Sequence, residues 1–192
     1  MDFVVGTRNL HKIEELTRIL GPELQDVHLI PASGEGPVED GDSFEANALI
    51  KARAAYQDSG LPSIADDSGL EVEALDGRPG IFSARYAKSG EDTDNTAKVL
   101  AEMVGVTNRR AAFVCAAALV CEGGEFVVEA RWAGHLTEVP SGEGGFGYDP
   151  IFVPEGLTQT SAELLPEEKD ALSHRGRAFR ALAEHMAKLG QP

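Results

Sequence analysis

Four short segments hold residues whose types and spacing suit chemistry. The first is Thr7-Arg8-Asn9-Leu10-His11-Lys12, a polar loop after an apolar run and before a helical pattern. Free backbone N–H groups and the helix macrodipole favour an anion there, and phosphate is the natural ligand. The same residues also suit a plain helix start, with Thr7 or Asn9 as cap and Lys12 solvated. The glycine spacing of a Walker loop is absent. The second segment is Asp66-Asp67-Ser68-Gly69. Carboxylates ending a strand can hold a hard cation, and Mg2+ prefers one or two of them plus phosphates and water. Strand alternation sends the two to opposite sides unless a turn intervenes. Repulsion between close carboxylates would raise one pKa and suit that group to act as a base, which bound metal would oppose. An Asx-turn with Gly69 at positive φ is the plainer alternative.

The third segment is Gly144-Gly145-Phe146-Gly147-Tyr148-Asp149-Pro150, where glycines permit close approach and two aromatics flank a carboxylate. A flat heterocycle could stack there, or the loop could be a structural turn tucked onto a core. The fourth comprises Lys169 and Ser173-His174-Arg175-Gly176-Arg177, cations gathered at a helix start. The dipole disfavours positive charge at that end, so an acceptor-rich ligand or opposing acids should compensate it; an exposed cluster would lose little.

These segments need elements to place them. Phe3-Val4-Val5 ends at Gly6, and Leu10, Ile13, Leu16, Ile19 and Leu20 then recur at helical spacing, predicting strand, loop and helix. A second strand is expected at Val27 to Ile30. A long helix is expected from the Asp42 and Glu45 capping spacing to Gly60, with Phe44, Ala48, Leu49, Ala52, Ala55 and Tyr56 on one face and Lys51 off that stripe. Ser63-Ile64-Ala65 and Leu70 to Ala74 read as two strands separated by the acidic turn. A helix fits Asp94 to Val104. Ala111 to Val120 and Glu125 to Trp132 read as a hairpin joined at Gly123-Gly124, and a last helix begins at Ser173. Helices alternating with strands early and a hairpin later imply a mixed sheet flanked by helices, an α/β fold in two lobes with a central cleft.

The chain has 192 residues, with 32 acidic against 17 basic and a formal charge of −15. At roughly 100 to 200 residues per domain, that is one large domain or two lobes sharing a core. An acidic surface repels phosphate backbones and anionic membranes, so no nucleic acid or membrane partner is expected. A small anionic ligand stays admissible, because a local cationic pocket decides its binding. The N-terminus lacks the basic and apolar regions of a secretory signal, and the apolar stretch Ala111 to Cys121 is too short to span a bilayer; a cytoplasmic protein is expected. Cys115 and Cys121 read as reduced core thiols.

Taken together, Thr7-x-Asn9-x-x-Lys12, Phe44-x-x-Asn47-Ala48-x-x-Lys51-Ala52, Ala65-Asp66-Asp67-Ser68-Gly69-Leu70, Pro79-Gly80-Ile81-x-Ser83-Ala84-Arg85-Tyr86, Phe146-Gly147-Tyr148-Asp149-Pro150 and Ser173-His174-Arg175-Gly176 resemble the inosine triphosphate pyrophosphatase family. The six motifs stand in order across nearly the whole chain. The resemblance implies a single domain over residues 1–192, a Mg2+-dependent homodimer that cleaves ITP, dITP and XTP to the monophosphate and pyrophosphate. It implies that Thr7, Arg8, Asn9, Leu10, His11 and Lys12 form the triphosphate loop, with Lys51 a further phosphate contact. Glu39 and Asp67 would hold the metal, Asp67 would activate water, and Ser68 would contact substrate. Phe146, Gly147, Tyr148, Asp149, Lys169, His174 and Arg175 would stack on and read the base. Lys169 and Arg175 could then favour a 6-keto acceptor over an amino donor. Ile81-Phe82 and Trp132 are candidates for an exposed apolar interface.

Other classes fit some of the same features. A nucleotide sensor would need the phosphate and aromatic loops but not Asp66-Asp67, and a related pyrophosphatase could prefer modified pyrimidines. A scaffold is disfavoured, because the unusual polar residues cluster at turns between regular elements.

Overall fold

The computed structural model describes residues 1–7, 9–24 and 27–189. Its strands are β1 (Asp2–Val5), β2 (His28–Pro31), β3 (Ser63–Val72), β4 (Arg110–Cys121), β5 (Gly124–Leu136) and β6 (Phe152–Pro154). Its helices are α1 (Leu10–Leu20), α2 (Phe44–Ser59), α3 (Asp92–Glu102), α4 (Pro166–Leu172) and α5 (His174–Lys188). One six-stranded sheet runs in the order β2-β1-β3-β4-β5-β6. β1 pairs in parallel with β2 and β3, whereas β5 and β6 are antiparallel, so the expected mixed α/β sheet forms.

Two compact units divide the chain: Met1–Asp67, Cys115–Ala130 and His174–Pro192 form the first, and Ser68–Val114 with Arg131–Ser173 the second. In the first unit, Phe3 and Val5 of β1 and Ile64 of β3 meet Leu16, Ile19 and Leu20 of α1 and Phe179, Leu182 and Met186 of α5. The period of the apolar residues in both helices is the reason: each presents one stripe, and the sheet receives it. The buried thiol Cys115 lies in this core, and Cys121 is also buried and unpaired with another cysteine. In the second unit, Leu70, Val72, Val99, Met103, Phe113, Trp132, Tyr148 and Phe152 form a separate cluster. Phe152 packs against Phe113 edge-on at 4.6 Å and against Trp132 at 5.5 Å.

Several expectations are corrected. β3 is continuous from Ser63 to Val72, with no acidic turn, and Gly69 is not among the positive-φ glycines. The Asp66-Asp67 pair stays extended because each carboxylate finds cationic or amide partners beside the strand, so neither must turn out to water. Ser43, not Asp42, caps α2, its hydroxyl accepting from the Ala46 N–H at 3.2 Å. α3 starts at Asp92, two residues earlier than its apolar period suggests. Short β6 and α4 were not expected; neither is long enough to show a period. Trp132 is a core residue, 3% exposed, and no interface candidate, whereas Phe82 is exposed. Among the described residues, no helix is long and apolar enough to cross a membrane.

Candidate active site

The charge-bearing cluster of the first unit draws on β3, α1, α2 and α5 and on the loop before α2. β3 supplies Asp66 and Asp67, α1 supplies Lys12 and Glu15, and α2 supplies Asn47 and Lys51. Asp67 is buried and accepts from Lys51 Nζ at 3.0 Å and Asn47 Nδ2 at 3.2 Å. The same Lys51 ammonium lies 3.2 Å from Glu39 Oε2. Lys51 is buried although it stands off the apolar stripe of α2, because its charge is spent on these carboxylates rather than on water. Asn47, one helical turn earlier on the same face, also accepts from the Gly41 N–H at 2.9 Å, which ties the Glu39 loop to Asp67.

Electrostatics separates the two adjacent acids. Burial is the main cause holding the Asp67 carboxyl above its ordinary pKa; Lys51 opposes it and Glu39 adds to it. Mutual repulsion with Asp66, the cause expected from the sequence, is not among the leading ones. Burial would also raise Asp66, but the charges of Lys12, Arg175 and Lys51 outweigh it and hold that carboxyl well below the usual range. For Lys51 itself, burial pulls the pKa down, and Asp67, Asp66 and Glu39 together hold it above its usual value.

Asp66 accepts from Lys12 Nζ at 3.2 Å and from Arg175 Nη2 at 2.9 Å, and the Arg175 guanidinium also donates to Glu15 at 2.8 Å. Arg175 is 1% exposed and is therefore the ionic centre of the first unit. Lys169, grouped with it in the sequence, lies on a different helix and pairs with a different acid, Asp149. His174 is buried at the start of α5 in the same unit. The polar loop before α1 is half helix start: Asn9 caps α1 by accepting from the Lys12 N–H at 3.3 Å, and Thr7 Oγ1 accepts from the Asn9 N–H at 3.2 Å. Leu10 and His11 are exposed, and Arg8 lies outside the described residues.

A divalent cation fits this cluster. Glu39 and Asp67 already converge on one positive centre and their donors are hard oxygens, whereas Glu35 and Asp40 are exposed. Among the described residues, no group of three or more His, Cys, Asp or Glu is poised to enclose a metal. Mg2+ asks for less than that, taking one or two carboxylates and completing its shell with phosphate and water.

In the second unit, Asp149 organises the glycine-rich loop. It is 2% exposed and accepts from Lys169 Nζ at 2.5 Å, from Ser161 Oγ at 2.8 Å and from the Phe146 N–H at 2.8 Å. Gly145 must be glycine: its φ is +69°, and an added Cβ would fall 2.1 Å from the Asp149 carboxylate. The Lys169 ammonium sits 5.0 Å from the centre of the half-buried Phe146 ring. Tyr148 does not flank the carboxylate as a second platform; it is buried, and its hydroxyl donates to the Ser83 carbonyl at 2.8 Å. Ser68, at the start of this unit's share of β3, is half-buried. Glu15 and Ser161 were missed from sequence, and Asn47 stood in a motif there without a role of its own. Glu15 and Asn47 each stand one turn from a cation already singled out, Lys12 and Lys51, and that spacing was the available signal.

Comparison with known proteins places the chain in a family. A model of the Ham1 family matches residues 3–185. A dITP/XTP pyrophosphatase of Mycobacteroides abscessus is 50% identical, over 98% of this chain and 96% of its own length. Among solved structures, a HAM1 protein from Coxiella burnetii superposes with a TM-score of 0.88 at 38% identity, covering 98% of this chain and 99% of that one. The crystal structure of a nucleoside-triphosphatase, or dITP/XTP pyrophosphatase, from Mycobacterium abscessus matches with a TM-score of 0.76 at 50% identity, covering 95% and 98%.

Proposed function

The chain belongs to the Ham1 family, and from that premise we propose that it hydrolyses non-standard purine nucleoside triphosphates, dITP, ITP and XTP, to the monophosphate and pyrophosphate. It is thus a nucleoside triphosphate pyrophosphatase that removes these nucleotides from the pool. The observation that carries the reading is the buried Asp67 carboxylate, joined through Lys51 to Glu39 and braced by Asn47.

Those products require cleavage between the α and β phosphates. Asp67 takes the proton of the attacking water, and its raised proton affinity suits it to that transfer. Asn47 donates to one Asp67 oxygen and leaves the other to Lys51, which fixes the carboxylate plane. Lys51 and Lys12 supply positive charge for the triphosphate oxygens, and the N-terminus of α1, with Thr7 to Lys12, adds backbone N–H donors. Glu39 and Asp67 would hold Mg2+, which when bound neutralises charge developing on the phosphates. Ser68 follows the base in sequence and is assigned a substrate contact.

Base recognition is assigned to Phe146, Gly147, Tyr148, Asp149 and Lys169, with His174 and Arg175 acting from the start of α5. Phe146 offers the stacking face, and Asp149 with Lys169 offers an acceptor and a donor side by side. Tyr148 and Arg175 act through position, since the hydroxyl of one and the guanidinium of the other are bonded inside the protein. Residues 1–192 are taken as one catalytic domain, working as a homodimer in the cytoplasm. The net charge of −15 argues against nucleic acid as substrate. Release of pyrophosphate together with IMP from ITP, dependent on Mg2+, tests the proposal.

A further inference from the structure

The loop from Gly144 to Asp149 is fastened at several points. Asp149 holds it from within, through the Phe146 N–H, and α3 holds it from outside. Asp92 Oδ2 accepts from the Gly147 N–H at 2.6 Å, and Thr96 Oγ1 donates to the Gly147 carbonyl at 3.3 Å. The two side chains are four residues apart, so one face of α3 grips both polar ends of a single residue. Gly147 has φ of +62°, a conformation that glycine enters and leaves readily, so neighbours must hold it. Asp92 sits in the first turn of α3, where the helix dipole favours a carboxylate, and Thr96 is buried. Asn95, between them, ties the helix to a second segment by donating to the Ala84 carbonyl at 3.3 Å and accepting from the Ala87 N–H at 2.6 Å.

We propose that Asp92 and Thr96 are positioning residues for base selection: by clamping Gly147 they set how Phe146 and Asp149 meet the purine, without touching it themselves. This rests on the assignment of Phe146 to Asp149 as the base-contacting loop. Phe146 and Tyr148 flank the clamped residue, and the Tyr148 hydroxyl is anchored independently on Ser83, so the freedom that the clamp removes lies mainly on the Phe146 side. Loosening it blurs the base contacts, and neither clamp bond involves Asp67, Lys51 or Lys12.

Steady-state kinetics of the full chain on ITP and GTP with Mg2+ tests this. Asp92→Ala raises KM for ITP about tenfold, the order of one charge-assisted hydrogen bond, keeps kcat within about twofold, and narrows the ITP-to-GTP ratio of kcat/KM. Asp92→Asn, which keeps an acceptor, restores most of both. Thr96→Val moves both quantities in the same direction and Thr96→Ser restores them, which carries the test if Asp92→Ala does not fold. A lowered melting temperature with unchanged KM and base ratio in Asp92→Ala and Thr96→Val overturns the clamp, as does Asp92→Asn as impaired as Asp92→Ala. Phe146→Ala separates the two levels. If it shifts KM and the base ratio while the α3 variants do not, only the clamp falls; if it shifts neither, the base-loop assignment falls and takes the clamp with it.

Discussion

Asp66 and Asp67 are neighbours in the chain yet serve opposite sides of β3. Asp66 accepts from Lys12 and Arg175, and Asp67 accepts from Lys51 and Asn47. The two-residue period of an extended strand produces the split, and it assigns the acids different work. One anchors a buried ionic cluster; the other faces the loop that brings Glu39.

The first prediction follows from that division. Asp67→Asn removes the proton acceptor, so turnover falls by about 10²-fold or more while the melting temperature stays within a few degrees. Asp66→Asn leaves Arg175 and Lys12 short of their carboxylate and costs about 3 kcal/mol of stability. Turnover assays paired with thermal melts check both; wild-type turnover in Asp67→Asn would remove it as the base.

Arg175 joins Glu15 to Asp66 in the interior of the first unit. Arg175→Ala strands the buried Glu15 carboxylate and takes one cationic partner from Asp66, which keeps Lys12, an expected loss of about 3–5 kcal/mol, or roughly 10 °C in melting temperature for a protein of this size. Arg175→Lys restores little, because an ammonium cannot serve Glu15 and both bonds to Asp66 from one planar fork. A melt unchanged in either variant would contradict the structural part of its assignment.

Acid sensitivity follows from Asp66. Burial alone would raise its pKa, but Lys12, Arg175 and Lys51 hold it well below the ordinary value. A carboxyl with a depressed folded pKa binds fewer protons folded than unfolded, so its stabilisation is complete above about pH 5 and is lost as the pH falls through about 4 and below. Urea melts between about pH 3 and pH 6 should show stability rising with pH, with a slope reduced in Asp66→Asn. An identical slope in that variant would assign the acid dependence to other carboxyls.

Glu39 is the carboxylate whose role depends most on the loop before α2. It reaches Lys51, whereas Glu35 and Asp40 are exposed. Glu39→Gln should raise the Mg2+ concentration giving half-maximal activity by about tenfold, the scale of losing one charged ligand interaction, while Glu35→Gln leaves it unchanged. A metal titration with the reverse order would move the ligand four residues upstream.

Much of this was legible in the sequence, for reasons of period. α1 and α5 were read from apolar stripes, and β1 and the β4–β5 hairpin from buried or alternating runs, because those patterns state which face is covered. The acidic tetrapeptide was misread as a turn because Asp and Gly are turn residues wherever nothing nearby compensates them; here Lys12, Lys51 and Arg175 do, and two of those lie on helices distant in sequence. Arg175 was grouped with Lys169 by proximity along the chain, yet the break between α4 and α5 sends the two cations to different acids. The roles of Asn47 and Glu15 were invisible for the same reason: a helix face shows which residues are adjacent, not which strand atom they will meet.

The central claim is that Asp67, with Lys51 and Glu39, drives pyrophosphate release from deaminated purine triphosphates. Pyrophosphate and monophosphate should be measured together from ITP, XTP, GTP and ATP, each with and without Mg2+. The account predicts Mg2+-dependent pyrophosphate with IMP or XMP, and far slower release from GTP and ATP. Tight ITP binding with no release under any condition would contradict it and make the protein a nucleotide sensor.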